Sequence, residues 1–92
     1  MATLIKVNGE SLEIEATELK QMQEAVGGYI EMVDFPDGSL MVCNEEGKLD
    51  GLPMNPAATA IFRLKLRGTP DWIAGPAIFF SRAENERMQA EE

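Results

Sequence analysis

The chain has 92 residues, an ordinary apolar fraction of 45% and a formal net charge of -8. This length suits one domain, which can bury enough apolar surface to fold without a metal or a disulfide. A lone cysteine excludes an intramolecular disulfide, and no stretch reads as a secretory signal or a membrane span. We therefore expect a cytoplasmic protein with no membrane partner.

The negative charge is concentrated in the first half of the chain. Residues 1–50 carry eleven acidic side chains against three lysines, whereas residues 51–92 carry five side chains of each sign. Binding to nucleic acid requires basic groups that neutralise phosphates, so no direct nucleic-acid partner is expected. The acidic residues either keep a small protein soluble or meet a basic surface on a protein partner.

The hydrophobic pattern divides the chain into short strands and helices. Two alternating stretches flank Asn8-Gly9, a pair that favours the tight turn of a β-hairpin. Apolar residues at helical spacing follow Thr17, which can cap a helix that Gly27-Gly28 can end. In chain order, the pattern predicts strands at 3–7 and 11–15, a helix at 18–26, strands at 29–35 and 39–44, a helix after residue 55, and a strand within 73–81.

The segment after Asn55 has two interpretations. Phe62, Leu64 and Leu66 alternate with basic residues, which is typical of a strand. Asn55 can instead cap a helix that begins at Pro56, and the alanines that follow are good helix formers. We favour the helix.

The order of elements, ββαββαβ, predicts an α+β fold. We expect a single domain over residues 1–82, with a mainly antiparallel sheet and its helices on one face. Residues 83–92 contain good helix formers but almost no apolar stripe. They are therefore predicted to form an acidic C-terminal tail, either a frayed helix or disordered.

The composition argues against an enzyme that uses a cofactor. The chain has no histidine, the commonest general base and metal ligand, and no phosphate-binding glycine-rich loop. Cys43 lies on an apolar strand, where a buried and inert thiol is expected. Glu45, Glu46 and Asp50 could together hold a calcium or magnesium ion, but they lack the spacing of an EF-hand. We predict no catalytic residue, no metal site and no cofactor.

Two further features have competing interpretations. Arg63 and Arg67 share one face of the predicted helix, where they either grip a phosphate or an acidic partner or remain solvated. The solvated face is the expected case. Trp72 follows Asp71 in a predicted turn, as either a core aromatic or an exposed anchor at a binding surface. A mostly buried position is expected.

Several longer motifs resemble a known family. The stretches "VGGYIE" at 26–31 and "CNEEGKLDGLPMN" at 43–55, followed by "PAATAIF" and "DWIAGPAIFF", resemble small bacterial, phage and plasmid proteins of unknown function. The resemblance covers about residues 1–80 and implies an accessory protein of a mobile element. The matching positions are Gly28, Tyr29, Glu31, Asn44, Glu45, Glu46, Gly47, Lys48, Leu52, Pro53, Asn55, Asp71 and Gly75.

The candidate binding site is drawn from these positions. Its residues are Tyr29, Glu31, Asn44, Glu45, Glu46, Lys48 and Asn55. Helix capping alone could explain Asn55, whereas turn geometry does not require the four charged side chains. We expect a non-enzymatic protein whose acidic first half, centred on Glu31 and residues 44–50, engages a protein partner.

The alternative is a protein that binds a small molecule or a nucleotide signal. In that case Tyr29 would stack on the ligand, while Asn44, Lys48 and Asn55 would supply polar contacts. Lys48 could meet a phosphate, although the adjacent acidic side chains would repel one. The sequence does not determine the oligomeric state.

Overall fold

The computed structural model describes residues 1–90. These residues form β1 (Ala2–Ile5), β2 (Ser11–Ile14), α1 (Leu19–Val26), β3 (Ile30–Asp34), β4 (Leu40–Asn44), α2 (Pro56–Lys65), β5 (Ala77–Phe80) and α3 (Arg82–Ala90). The α+β class and the predicted order of the first seven elements are confirmed. Within residues 1–90, no helix combines the length and apolar character that a membrane span requires.

The five strands form one sheet in the order β2-β1-β5-β4-β3. Every neighbouring pair is antiparallel, as predicted. Strands β1, β5 and β4 lie inside the sheet, while β2 and β3 form its two edges. Strand β2, which carries Glu13, and strand β3, which carries Glu31, therefore lie at opposite edges of the sheet.

The first hairpin and the first helix follow from local sequence signals. Gly9 adopts a φ of 94°, which glycine adopts without strain, and its amide donates to the Lys6 carbonyl at 3.0 Å, so the turn also includes Val7. At the start of α1, the capping residue is Glu18 rather than Thr17. The side chain of Gln21 accepts hydrogen bonds from the amides of both residues, at 3.0 Å each. The side chain of Gln21, within the first turn of the helix, thus takes the place of the expected threonine cap.

Helix α2 confirms the preferred interpretation of the segment after Asn55. The Asn55 side chain accepts a hydrogen bond from the Ala58 amide at 3.1 Å, and Pro56 occupies the first turn. Ala58 and Phe62 are buried against the sheet, one helical turn apart. The alternation that suggested a strand does not correspond to one buried face, because Leu64 is exposed whereas Phe62 is buried.

The helices cover both faces of the sheet, which differs from the predicted single covered face. Helices α1 and α3 pack with Leu40 and Val42, whereas α2 packs with Met41 and Cys43. Successive residues of a strand point to opposite faces, and all five residues of β4 are buried. A central strand that is apolar on both sides must be covered on both sides, so one-sided packing would have left a core surface exposed.

Helix α3 occupies the region that the sequence assigned to a frayed helix or a disordered tail. Met88 is buried in the same core layer as α1, and the Asn85 side chain donates a hydrogen bond to the Gly38 carbonyl at 2.9 Å. One buried methionine thus attaches a helix whose sequence shows little apolar periodicity. The domain boundary at residue 82 remains a prediction. Residues 91 and 92, the end of the predicted tail, lie outside the described residues.

Candidate functional site

A concave surface lies between the edge strand β3 and two loops on the α2 side of the sheet. We call it the acidic groove; its volume is about 690 Å³. Its walls come from β3, from residues 43–49 and from residues 66–74, and Phe62 of α2 contributes to its floor. Ligand sites in proteins usually measure roughly 300 to 1,000 Å³. A hollow of about 40 Å³ beside α3 has room for little more than a water molecule.

The floor of the acidic groove is apolar. Val33, Phe62 and Ile73 belong to the core layer beneath α2. Cys43 lies in the same layer, and burial, reinforced by the nearby Glu31 carboxylate, raises the pKa of its thiol to about 11. The thiol is therefore protonated at neutral pH, where it is a poor nucleophile. The floor offers apolar contact and no activated group for covalent chemistry.

Lys48, Asp71 and Trp72 form a cluster on the rim. The Lys48 ammonium pairs with the Asp71 carboxylate and lies 4.3 Å from the centroid of the Trp72 ring. The Trp72 amide also donates to the Asp71 carboxylate at 2.8 Å. The Lys48 ammonium, and then this amide, hold the pKa of Asp71 below its ordinary value. Trp72 remains 42% exposed instead of taking the expected core position.

The loop that carries this cluster is fixed by Arg63 of α2. Its guanidinium donates to the Asp71 carbonyl at 2.9 Å and to the Pro70 carbonyl at 3.2 Å. The loop also meets residues 44–50 closely, because a Cβ atom on Gly47 would stand 3.0 Å from the Ala74 carbonyl oxygen. Arg63 thus contributes to the shape of the groove, and the two loops are held against each other.

Two carboxylates give the groove its charge. Glu31, on the same face of the sheet as Cys43, and Glu45 line it, and neither makes an ion pair with any described residue. Asp34 also borders the groove, but it lies opposite Leu40, so its side chain is on the α1 face of the sheet. The one lysine in the lining, Lys48, is neutralised by Asp71. The groove therefore combines an apolar floor with an excess of about two negative charges at neutral pH.

A comparison with protein-family models finds one that covers nearly the whole chain. The model of a domain of unknown function, DUF3846, matches residues 1–91. The chain belongs to the DUF3846 family. No curated protein and no solved structure matches it. Membership confirms the resemblance to a family of unknown function, while the specific motifs and the link to phages and plasmids remain predictions.

The DUF3846 fold brings together four of the seven predicted binding residues. Glu31, Asn44, Glu45 and Lys48 all line the acidic groove. The other three, Tyr29, Glu46 and Asn55, are not part of its lining. Tyr29 is 70% exposed beside the start of β3, and Glu46 is also exposed. These two side chains are accessible to a partner, but they do not share the concave surface.

Both asparagines among the predicted residues have structural partners in this DUF3846 domain. The buried Asn55 donates to the carbonyls of Ile5 and Gly75, at 2.9 and 3.0 Å, in addition to capping α2. Asn44 donates to the Val26 carbonyl at 3.2 Å and so ties the end of β4 to α1. Asn55 has no exposed surface, so it acts through the fold and does not contact a ligand directly.

Sequence reasoning missed several residues of the groove. Asp34 and Leu49 were not singled out, and Trp72 was expected in the core. Asp71 belonged to the resemblance, but its pairing with Lys48 joins two distant loops. The available signal was chemical: a tryptophan beside an acidic residue in a polar turn is better suited to a surface than to a core.

The acidic residues after β4 are not arranged as a metal site. Across residues 1–90, no group of three or more acidic, histidine or cysteine side chains has the geometry to hold a metal ion. The Asp50 amide instead donates to the Glu46 carbonyl at 2.8 Å within a turn. Only Glu45 of the three acidic residues considered for a metal lines the groove.

Proposed function

We propose that this protein is a non-enzymatic binding protein whose acidic groove engages a basic segment of a protein partner. It would act in the cytoplasm, and the motif resemblance implies that it serves as an accessory protein of a phage or plasmid. The main supporting observation is the groove itself, in which Glu31 and Glu45 border an apolar floor without a cationic partner among the described residues.

Charge complementarity favours a basic occupant. Carboxylates at the edge of an apolar surface attract lysine or arginine, and a partner that excludes water there strengthens that attraction. The excess of acidic groups repels an acidic protein or a phosphate backbone. Complementary charge thus selects the class of partner and accelerates its association.

Apolar contact would supply much of the affinity. Trp72 and Leu49 both line the groove, and their side chains are 42% and 88% exposed. Tryptophan is frequent among the residues that dominate binding energy at protein interfaces. The pairing of Lys48 with Asp71 holds the Trp72 ring at the rim, so little ordering of this side chain is needed on binding.

The small-molecule alternative has one favourable observation, the volume of the groove. The residues predicted for that function are dispersed, however, since Tyr29 lies outside the lining and Asn55 is buried. Lys48 already has Asp71 as its partner. A thermal-shift panel of nucleotides tests this alternative, which predicts a rise in melting temperature with ligand concentration.

Defined peptides test the proposed function directly. Fluorescently labelled peptides would alternate valine with lysine, or valine with glutamate, and anisotropy would measure their binding at low and moderate salt. We expect the lysine peptide to bind more tightly than the glutamate peptide and to weaken as salt is added. Equal binding of both peptides, or no detectable binding of either at about 1 mM, would contradict the proposal.

Charge reversal at two positions supplies the matched comparison. Glu31→Lys/Glu45→Lys changes the groove, whereas Glu13→Lys/Glu15→Lys makes the same charge change at exposed positions on and just after β2, at the opposite edge of the sheet. We expect the groove variant to weaken binding of the lysine peptide by about tenfold or more and the β2 variant by much less. Equal effects would show that only total charge matters.

A further inference from the structure

The outer edge of β3 presents unused main-chain hydrogen-bonding groups. Just beyond the two ends of β3, the Phe35 amide donates to the Ser39 carbonyl at 3.0 Å and the Glu45 amide donates to the Tyr29 carbonyl at 2.9 Å. Hydrogen-bonded positions alternate along an antiparallel pair. The register therefore turns the amides and carbonyls of Ile30, Met32 and Asp34 away from β4. Within residues 1–90, no other strand pairs with this edge.

Strand β3 lacks most of the features that protect an edge from pairing. Its sequence, Ile-Glu-Met-Val-Asp, contains no proline and no lysine, and its five residues pair with β4 in continuous register. The wholly buried β4 holds it in place. The edge is thus an unbroken template beside a buried strand, and the two acidic residues are its main deterrent to pairing with another acidic chain.

The edge and the acidic groove are continuous. Glu31, Met32, Val33 and Asp34 of β3 all line the groove, so a chain that lies along the edge also lies against it. Side chains of an added strand would alternate between the two faces of the sheet. Those on the α2 side would reach the groove lining, which includes Trp72.

We infer that the partner segment binds as a sixth strand: an extended, basic stretch of another protein pairs with the free edge of β3 and places alternate side chains in the acidic groove. This inference rests on the proposed function and names its mode of recognition, in which main-chain bonds supply affinity and alternate side chains supply specificity. Charge complementarity selects the occupant, because lysines or arginines on the α2 side of the added strand would face Glu31, and those on its other side would face Asp34.

A second copy of this chain is a poorer occupant of the same edge. Pairing two β3 strands would bring Glu31 and Asp34 of one copy close to the same acidic residues of the other. Like charges on adjacent strands destabilise a sheet, and each copy carries a net charge of -8. A basic segment avoids both the repulsion between adjacent strands and the repulsion between two acidic proteins.

Backbone methylation distinguishes strand addition from side-chain contact. Two derivatives of the valine–lysine peptide would carry N-methyl groups on all valines or on all lysines, which leaves the side-chain charges unchanged. An added strand bonds to the sheet through alternate residues only. We expect one derivative to lose about tenfold or more in affinity while the other binds nearly as well as the parent peptide.

Proline substitution makes the same test on the protein. Met32→Pro removes an outward amide of β3 without removing a bond to β4, and proline is tolerated at such an edge position. Ser11→Pro is the matched control, because Ser11 has an outward amide on β2, the other edge. We expect Met32→Pro to weaken peptide binding by about tenfold and Ser11→Pro to leave it unchanged. If the Met32→Pro variant does not fold, binding of the methylated peptides to the wild-type protein is the deciding test of strand addition.

Amide hydrogen exchange, measured by NMR, identifies the occupied edge. The peptide is expected to slow exchange at Ile30, Met32 and Asp34 and to leave Ser11 and Glu13 unaffected. Absence of this protection, with both methylated peptides binding like the parent, overturns strand addition. Protection that grows with protein concentration in the absence of peptide makes a second copy the occupant and also overturns the inference.

The two proposals fail in distinguishable ways. If Glu31→Lys/Glu45→Lys releases the peptide but neither methylation nor Met32→Pro does, the acidic groove binds through side chains, and strand addition alone is wrong. If no peptide binds, or if reversing the groove charges has no effect, the proposed function fails and strand addition fails with it.

Discussion

Two asparagines show that a polar residue in a suggestive motif can belong to the fold. Asn55 and Asn44 each use the side-chain amide to satisfy main-chain groups of distant segments. Neither arrangement requires a ligand, because every bond that these amides donate ends on the protein. The charged residues beside them differ, since Glu31 and Glu45 have no ion-pair partner among the described residues.

Replacing Asn55 with alanine is expected to destabilise the fold by on the order of 3 kcal/mol. The change removes the cap of α2 and leaves the carbonyls of Ile5 and Gly75 without this donor in a buried position. Urea unfolding followed by circular dichroism measures the loss. Gln89→Ala, at an exposed position on α3, is the control and should change stability by less than about 0.5 kcal/mol. Equal losses in the two variants would contradict the role given to Asn55.

At the scale of elements, β4 determines how the molecule is layered. Its run of buried residues, Leu-Met-Val-Cys-Asn, packs α1 and α3 on one face and α2 on the other. Packing α2 on its own side places its C-terminal turn and the following loop beside β3, where they form one wall of the acidic groove. The arrangement of the helices thus determines where the groove forms.

The attachment of α3 leads to a prediction about Met88. Met88→Ala is expected to destabilise the protein by about 2 kcal/mol, because this side chain is buried in the core layer shared with α1. Met32→Ala is the matched control, since Met32 is 50% exposed, and it should cost less than about 0.5 kcal/mol. Chemical unfolding measures both. A Met88 variant as stable as the control would mean that α3 does not pack on the sheet in solution.

An ion pair between two elements predicts a pH-dependent stability. The Lys65 ammonium at the end of α2 bonds to the Asp37 carboxylate in the β3–β4 turn and, with bonds from Ser39, holds the pKa of Asp37 well below its usual range. In acid the unfolded chain therefore binds a proton at Asp37 before the folded protein does. The stabilisation is present above about pH 4 and is lost as the pH falls through the lowered value.

Asp37→Asn should accordingly lower the melting temperature at neutral pH, and the difference from wild type should shrink below about pH 4. Thermal unfolding across this range, at constant ionic strength, measures the difference. Asp50→Asn removes an exposed acidic residue that makes no ion pair among the described residues, and it serves as the control. A difference between Asp37→Asn and wild type that stays constant with pH would rule out the ion pair as its cause.

For the molecule as a whole, the sequence predicted features that depend on neighbouring residues. The hairpin at Asn8-Gly9 and the helix start at Asn55-Pro56 each depend on a few residues, and both are found, although Asn8 does not adopt the positive φ of the two-residue turn that an Asn-Gly pair favours. The prediction that the helices cover only one face of the sheet was wrong. The continuous apolar run of β4 is typical of a strand that is buried on both faces, and such a strand needs helices on both.

The groove was less predictable, because it is assembled from distant segments. Glu31 and Trp72 line one surface only after β5 and β4 have paired and α2 has packed on the sheet. Four of the seven residues chosen from the sequence nevertheless reach it, since β3 and the residues after β4 are neighbours in the second hairpin. The wall formed by residues 66–74 had no such local signal.

The electrostatic potential of the groove can be tested without a partner, because Trp72 is the one tryptophan in the chain and lines the groove. At constant ionic strength, caesium should quench its fluorescence more efficiently than iodide, relative to a free tryptophan derivative. The carboxylates of Glu31 and Glu45 attract the cation and repel the anion, while Lys48 is neutralised by Asp71. The ratio of caesium to iodide quenching should approach that of the free derivative as salt rises, because the screening length falls to about 10 Å at 0.1 M.

The groove and β2 charge variants make this last measurement specific. Glu31→Lys/Glu45→Lys should lower the quenching ratio sharply, whereas Glu13→Lys/Glu15→Lys should change it little, although both variants alter the net charge equally. The difference follows from distance, since screened interactions weaken beyond about 10 Å. Equal effects of the two variants would assign the field to total charge rather than to the groove, and would remove the electrostatic basis for a basic partner.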